Sequence, residues 1–134
     1  MPKRVLVVDD NPSVRKVVCR LFALGGFSVC GEAGDGAQAI EKAKEMAPDI
    51  IVLDFAMPVM DGIHAAMVLK EIMPQVPLIL FTAHASSALE IEALAAGIAA
   101  VVSKEDASDL LSKAHELLSA GGTVETRRVL KKGV

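Results

Sequence analysis

The sequence predicts an α/β fold in which a doubly wound parallel sheet is covered by helices on both faces. Five short apolar runs alternate with five amphipathic segments, and the connections between them are brief. The runs are apolar at consecutive positions, which is typical of strands that are buried on both faces. Because strands that alternate with helices build βαβ units, the chain of 134 residues is expected to contain one compact domain around a parallel sheet.

The predicted strands are the five apolar runs, each followed by a polar residue. They span residues 4–8, 27–31, 49–53, 78–81 and 99–102. These lengths are usual for strands and too short for helices.

The first two helices have ends that the sequence marks clearly. Asn11 has the side chain of an N-cap, and Pro12 suits the first helical position. The pair Gly25–Gly26 is expected to end this helix. The second helix follows Asp35, with a glutamine three residues later at the spacing of a capping box, and it is expected to end before Pro48.

The other three helices are bounded by the same kinds of residues. Their predicted limits are Gly62 and Pro74 for the third helix, Ser87 and Gly97 for the fourth, and Asp106 and Gly121–Gly122 for the fifth. Ser87 and Glu90 have the spacing of a capping box, so Ser87 is the predicted cap of the fourth helix.

The composition is that of a globular protein and gives no electrostatic reason to expect nucleic-acid binding. Apolar residues make up 52% of the chain, the formal net charge is −3 and the pI is about 5.6. Cys19 and Cys30 have neither CxxC spacing nor a histidine cluster, which predicts reduced thiols. No apolar run has the length of a signal peptide or a membrane span, so the predicted location is the cytoplasm.

The predicted domain covers residues 1–122. The remaining residues, 123–134, are locally basic and are predicted to form a short tail or the stub of a linker.

Polar side chains at the ends of the predicted strands carry the chemical signal. Asp9 and Asp10 follow the first strand, Asp54 the third, Thr82 the fourth, and Lys104 lies just beyond the fifth. Ligands of open parallel sheets bind at the edge where the carboxyl ends of the strands meet, so we expect these side chains to lie together. Three buried carboxylates repel one another, and a divalent cation resolves that repulsion. The donor set is all oxygen, which suits Mg²⁺.

This arrangement predicts phosphoryl chemistry. A carboxylate beside Mg²⁺ can act as a nucleophile toward a phosphoryl group, while Mg²⁺ and Lys104 offset charge on the transferring oxygens. Thr82 is placed to hydrogen-bond the phosphoryl group. Each residue alone also has an ordinary structural explanation, such as a helix cap or a surface lysine, so the functional interpretation depends on their joint order along the chain.

The chain resembles the receiver domains of two-component response regulators, the CheY-like family. The matching motifs are VLVVDDN, VLDFAMPVMDG, LFTA and AVVSK, in this order over residues 4–120. The resemblance implies a flavodoxin-like five-stranded parallel sheet in the order 2-1-3-4-5, flanked by five helices. The stretch SKEDASDLL is similar to the NarL/FixJ-type subgroup, many of whose members carry a helix-turn-helix domain. The residues after Gly122 are too few to form one, so direct binding of nucleic acid is not expected.

The resemblance also implies roles for the site residues. Asp54 is expected to accept a phosphoryl group from a phosphohistidine on a sensor histidine kinase or a histidine phosphotransfer protein. Thr82 and Lys104 would contact that group. The implied Mg²⁺ ligands are Asp9, Asp10, Asp54 and the backbone carbonyl of Ala56. No enzymatic activity is expected beyond the protein's own phosphorylation and dephosphorylation.

Phosphorylation is expected to switch a surface made by the fourth helix, the fifth strand and the fifth helix, which binds an unidentified downstream protein. A homodimer is possible, and no membrane partner is expected.

Two positions depart from the family pattern. The family usually has an aromatic residue three positions before the lysine, where this chain has Val101. Valine has restricted χ1 rotamers and no large ring that could change position. Output is therefore predicted to depend on backbone shifts in the fourth helix and the fifth strand. A cis-linked proline commonly follows the lysine, whereas Glu105 follows it here, so a trans peptide bond is expected.

Two further positions border the path of an attacking water. Ala56 lies two residues after Asp54, and His84 lies two residues after Thr82. Family members vary at both positions. His84 is predicted to tune the lifetime of the phosphoryl group.

Three other functions have weaker support. A pseudo-receiver used only for binding is disfavoured because all five site residues are present, although Val101 keeps it open. A Mg²⁺-dependent aspartyl-phosphate phosphatase would need an aspartate where Ala56 stands. A dinucleotide-binding protein would need a GxGxxG loop after the first strand, where this chain has DDNPS.

Overall fold

A computed structural model describes residues 1–120 and shows a five-stranded parallel sheet in the order β2-β1-β3-β4-β5. The strands are β1 Arg4–Val8, β2 Ser28–Ala33, β3 Ile50–Leu53, β4 Leu78–Thr82 and β5 Ala100–Ser103. The helices are α1 Pro12–Leu24, α2 Gly36–Met46, α3 Gly62–Ile72, α4 Ser87–Ala95 and α5 Ala107–Ala120. The predicted doubly wound fold is confirmed. The predicted tail 123–134 and the predicted helix end at Gly121–Gly122 lie outside the described residues.

The core forms two layers, one on each face of the sheet. On one face, α1 and α5 bury Val18, Phe22, Leu110 and Ala114 against the strands. On the other face, α2, α3 and α4 cover the sheet. Consecutive strand residues point to opposite faces and both faces are covered, which explains the unbroken apolar runs Val5–Val8 in β1, Ile50–Leu53 in β3 and Leu78–Phe81 in β4.

The second strand differs from its prediction. It runs from Ser28 to Ala33, one to two residues later than expected. Phe27 does not join the sheet, because its N–H donates to the Phe22 carbonyl (3.0 Å) and its ring packs edge-on against Phe22 at 4.9 Å. The pairing of β2 with β1 also shifts by one residue at Cys30.

The predicted cap of the fourth helix is wrong by one residue. The N-cap is Ser86, whose hydroxyl accepts from the Leu89 N–H at 3.1 Å, and Ser87 is the first helical residue. The other predicted caps are confirmed: Asn11 accepts from the N–H of Ser13, and Asp35 accepts from the N–H of Gln38.

Both cysteines are free and half-buried, in agreement with the prediction of reduced thiols. Burial is the main cause that raises the pKa of the Cys19 thiol to about 11, which makes it a poor nucleophile at neutral pH. Within residues 1–120, no helix is long and apolar enough to cross a membrane.

Candidate functional site

The first pair of acidic residues lies where β1 passes into α1. The Asp9 N–H donates to the Ala33 carbonyl at the end of β2 (3.0 Å), which continues the strand pairing by one residue. One carboxylate oxygen of Asp9 accepts from the Asn11 N–H at 2.9 Å, while the Asn11 side chain caps α1. The turn over Asp9–Asn11 is therefore fixed by hydrogen bonds at Asp9 and at Asn11. In this turn Asp9 is buried and Asp10 is exposed.

Asp54 stands at the end of β3, next to β1. Its N–H donates to the Val8 carbonyl (2.9 Å). The loop from Phe55 to Gly62 is closed by a hydrogen bond from the Gly62 N–H to the Phe55 carbonyl (2.9 Å), next to Asp54. A Cβ atom on Gly62 would lie only 2.3 Å from the Asp54 carbonyl oxygen. The glycine is therefore required by the close approach of the α3 N-terminus to the end of β3.

The three carboxylates meet as the strand order predicts. Oxygen atoms of Asp9, Asp10 and Asp54 all lie within 4.8 Å of one another, and the Asp9 and Asp54 residues are only 3% and 6% exposed. Burial and, after it, the charge of Asp9 raise the pKa of Asp54, although Lys104 opposes the shift. Because the folded state holds the Asp54 proton more tightly than the unfolded state, this group contributes less stability as the pH rises above about 4.

Lys104 is the counter-charge of the cluster. Its ammonium lies 2.8 Å from Asp9 and 3.3 Å from Asp54, at the start of a short 3₁₀ turn, Lys104–Asp106. Burial lowers the pKa of Lys104, but the hydrogen bond with Asp9 and the charges of Asp54 and Asp9 outweigh it, so the net shift is upward. All peptide bonds of residues 1–120 are trans, which confirms the trans prediction at Glu105.

Thr82 and Val101 lie on the neighbouring strands. Thr82 ends β4, is fully buried, and accepts the His84 N–H on its hydroxyl at 3.1 Å. Val101, on β5, pairs with Leu80 on β4 and packs, half-buried, against the core on the α2–α4 face. His84 is exposed.

The loop between β3 and α3 has a strained turn. The Met60 N–H donates to the Pro58 carbonyl at 2.7 Å across Val59, whose φ of +69° is unusual for a β-branched residue. The Met60 carbonyl in turn accepts from the Gly36 N–H at 3.1 Å, which ties the loop to the start of α2. Ala56 is exposed on this loop.

Arg15 lies beside the cluster, although no sequence motif singled it out. A guanidinium nitrogen of Arg15, Nη1, donates to the Asp9 carbonyl at 2.7 Å, and its Nε donates to Glu32 at 3.0 Å. The sequence does place an arginine one helical turn after Asn11, but its partner Glu32 depends on the shifted pairing of β2 with β1.

Comparison with known proteins agrees with this fold and cluster. Residues 5–115 match the family model of the response regulator receiver domain. The chemotaxis protein CheY of Thermotoga maritima is 41% identical over 97 residues, which cover 72% of this chain and 81% of that protein.

Two solved structures are similar as well. The receiver domain of the putative response regulator NarL from Mycobacterium tuberculosis has a TM-score of 0.81 and 34% identity, with 86% of this chain and 94% of that chain covered. A chain of the CheX–CheY–BeF₃–Mg²⁺ complex from Borrelia burgdorferi has a TM-score of 0.84 and 29% identity, with 88% and 90% covered.

These matches confirm the predicted class of function, phosphorelay signalling through a response regulator, and nothing in them favours a binding-only module or a phosphatase. With its sheet order and its acidic cluster, the chain belongs to the response regulator receiver domain family.

Proposed function

We propose that Asp54 accepts a phosphoryl group from a phosphohistidine on a sensor histidine kinase or a histidine phosphotransfer protein. The observation that carries this proposal is the placement of Asp54, whose buried carboxylate lies within 4.8 Å of an Asp9 carboxylate oxygen and 3.3 Å from the Lys104 ammonium, which contacts both acids. Burying one acid beside another destabilises the fold, and such arrangements occur mainly where the acids bind a ligand or take part in chemistry.

In the transfer, a carboxylate oxygen of Asp54 forms a bond to phosphorus as the bond between phosphorus and the donor imidazole nitrogen breaks. The bonding pair of electrons returns to the imidazole. Lys104 lies 3.3 Å from the Asp54 carboxylate, so its ammonium can offset negative charge on the phosphoryl oxygens. Within residues 1–120, the Thr82 hydroxyl accepts a hydrogen bond from the His84 N–H and its own proton has no partner in the structure. It can therefore donate a hydrogen bond to the phosphoryl product.

The donor set fits Mg²⁺. Asp9, Asp10 and Asp54 bring oxygen ligands within 4.8 Å of one another, and the backbone carbonyl of Ala56 is the proposed fourth protein ligand. The similar Borrelia chain belongs to a complex that contains Mg²⁺, which supports this ion. When bound, Mg²⁺ would supply positive charge that holds the incoming phosphoryl group against Asp54.

An apolar groove supports docking of the phosphodonor beside Lys104. Its volume is about 320 Å³, and it lies between α1 and the start of α5, where Val14, Val17 and Leu21 line it together with Lys104. Val17 is 65% exposed, as expected for a side chain that a partner covers.

The output surface is proposed to be the face of α4, β5 and α5, where Ile91 and Leu94 are exposed. Val101 lies under this face, and its small side chain with restricted χ1 rotamers cannot undergo a large reorientation, so we propose that shifts of the α4 and β5 backbone carry the signal to an unidentified downstream protein.

The domain is proposed to cover residues 1–122 and to act in the cytoplasm, either as a monomer or as a homodimer. No enzymatic activity is proposed beyond the phosphorylation and dephosphorylation of Asp54.

The decisive experiment is the intact mass of the protein after incubation with Mg²⁺ and a small-molecule phosphodonor such as acetyl phosphate. We expect a gain of one phosphoryl group that is absent from Asp54→Asn and is suppressed by EDTA. Asp49→Asn is the matched control, because Asp49 lies at the opposite end of β3, and this variant should gain the same mass. Lack of a mass gain, under conditions that modify a known receiver, would contradict the proposal in favour of a binding-only module.

His84 is proposed to tune the lifetime of the phosphoryl group. Its N–H donates to the Thr82 hydroxyl, which puts its exposed side chain at the rim of the site, where water approaches. We expect His84→Ala to change the rate of autodephosphorylation by about threefold or more, since general acid–base groups contribute larger factors than this when they are well placed. The rate is measured as loss of phosphoryl mass over time, and an unchanged rate would show that His84 is an ordinary loop residue.

A further inference from the structure

Arg15 connects three elements next to the acidic cluster. It stands on the second turn of α1, its Nη1 donates to the Asp9 carbonyl at 2.7 Å, and its Nε donates to Glu32 on β2 at 3.0 Å. Its side chain is 22% exposed, so the contact with Asp9 is partly shielded from water. A planar guanidinium with several fixed donors can serve both partners at once, which an ammonium cannot do with the same geometry.

The carbonyl that Arg15 holds belongs to the peptide group between the two acidic residues. A peptide group is planar and rigid, so the direction of the Asp9 carbonyl also fixes the position of the Asp10 Cα atom. Asp9 is already held on two other sides, by the Ala33 carbonyl and by the Asn11 N–H. Asp10 is exposed, so the backbone rather than side-chain packing sets the direction of its carboxylate.

We propose that Arg15 is a positioning residue of the cluster: by holding the Asp9–Asp10 peptide group, it sets the directions of both carboxylates toward Asp54. The expected effect of Arg15 on Mg²⁺ affinity rests on the proposed function, whereas its expected effect on the rigidity of the Asp9–Asp10 backbone does not. Arg15 does not need to touch the ion or the phosphoryl group. Glu32 supports it by fixing the far side of the guanidinium.

Electrostatics alone predicts the opposite effect from positioning. Removal of a positive charge near three carboxylates should make a divalent cation bind more tightly. Removal of a residue that orients two of the ligands should make it bind more weakly, since loss of such supporting partners typically costs about tenfold or more in affinity. The sign of the change therefore separates the two explanations.

The experiment compares Arg15→Gln with Arg20→Gln, a control that removes the same charge from an exposed position on the same helix. Mg²⁺ alone is titrated into ¹⁵N-labelled protein at constant ionic strength, and amide shifts give the Kd. We expect Arg15→Gln to raise the Kd about tenfold relative to Arg20→Gln, and Arg15→Lys to lie between Arg15→Gln and the wild type. The ¹H–¹⁵N heteronuclear NOE of the Asp10 and Asn11 amides, measured without Mg²⁺, should be lower in Arg15→Gln than in the wild type and should be unchanged in Arg20→Gln.

A Kd for Arg15→Gln that is equal to or below that of Arg20→Gln overturns the inference. If Arg15→Gln does not fold, the Mg²⁺ Kd of Arg15→Lys is compared with that of the wild type instead. This variant keeps the charge, so an equal Kd overturns the inference and a higher Kd supports it. If the wild type binds no Mg²⁺, the metal site of the proposed function fails, and the NOE alone decides on Arg15. An unchanged NOE would then overturn its positioning role.

Discussion

Lys104→Met is expected to lower the free energy of unfolding by about 2 kcal/mol in the absence of Mg²⁺, because it leaves buried carboxylates without their counter-charge. The Lys104 ammonium contacts Asp9 at 2.8 Å and Asp54 at 3.3 Å, and the side chains of the two acids are only 4% and 7% exposed. Methionine keeps the length and the apolar stem of lysine, so most of the loss reflects charge rather than packing. Since the two partners raise the pKa of Lys104 above its usual value despite its burial, the lysine is charged throughout the neutral range.

Mg²⁺ should reverse much of this loss. In Lys104→Met the ion no longer competes with an ammonium for the same carboxylates, so it should bind the folded variant more tightly than the wild type and stabilise it more by mass action. Urea unfolding followed by circular dichroism, with and without Mg²⁺ at matched ionic strength, measures both quantities. The chain has neither tryptophan nor tyrosine, so circular dichroism is preferable to intrinsic fluorescence.

The matched control is Lys113→Met on α5. Lys113 pairs with Glu116 at 3.6 Å, and both side chains are about 40% exposed. An exposed pair of this kind contributes less than about 1 kcal/mol, and Mg²⁺ should not change its effect. If Lys104→Met and Lys113→Met were equally stable, or if Mg²⁺ left the difference in their unfolding free energies unchanged, Lys104 would not be the counter-charge of a cation-binding cluster.

Phosphorylation of Lys104→Met by a small-molecule donor should be about 10²-fold slower than that of the wild type, the usual loss for one group that stabilises developing charge.

The contact between Lys104 and Asp9 shows why the sequence could predict this cluster. The two residues lie 95 positions apart, yet each comes at or just beyond the end of an apolar run, and parallel strands bring all such ends to one edge. The helix ends at Asn11 and Gly25 were predictable for a different reason, because caps depend on only a few neighbouring residues.

Three features could not be predicted because they depend on the exact path of the backbone. Ser86 and Ser87 both have the side chain of an N-cap, and only the extended backbone of Ser86 decides between them. Arg15 finds Glu32 because the pairing of β2 with β1 shifts by one residue, which no periodicity in the sequence reveals.

The third feature is the close approach of Gly62 to Asp54. In the sequence, Gly62 indicates only the start of a helix, whereas the structure shows that a Cβ there would overlap the Asp54 carbonyl oxygen. Glycine is found near helix starts without such a contact, so the residue type alone could not indicate it.

Gly62→Ala is therefore expected to lower the free energy of unfolding by about 3 kcal/mol, at the upper end for an overpacked position. The added methyl group would lie 2.3 Å from the Asp54 carbonyl oxygen and 3.0 Å from Leu80. The carbonyl oxygen is backbone and cannot rotate away, so either the end of β3 or the start of α3 must move. Urea unfolding measures the loss. Gly34→Ala is the control, since a Cβ there meets only side-chain atoms of Gln38 and Arg15 at 3.7 and 3.8 Å, and its change should stay below about 1 kcal/mol.

The same movement should affect the chemistry, because the strand end that must yield carries the Asp54 carboxylate. The Gly62 N–H also closes the loop by donating to the Phe55 carbonyl, so the displacement reaches Ala56, the proposed carbonyl ligand. Under conditions in which Gly62→Ala is fully folded, its phosphorylation should be slower than that of Gly34→Ala by about tenfold or more, since misplacement of a reacting group by about 1 Å has large effects on rate. Equal rates and equal stabilities for the two variants would mean that β3 and α3 separate without cost, and that Gly62 does not hold Asp54 in place.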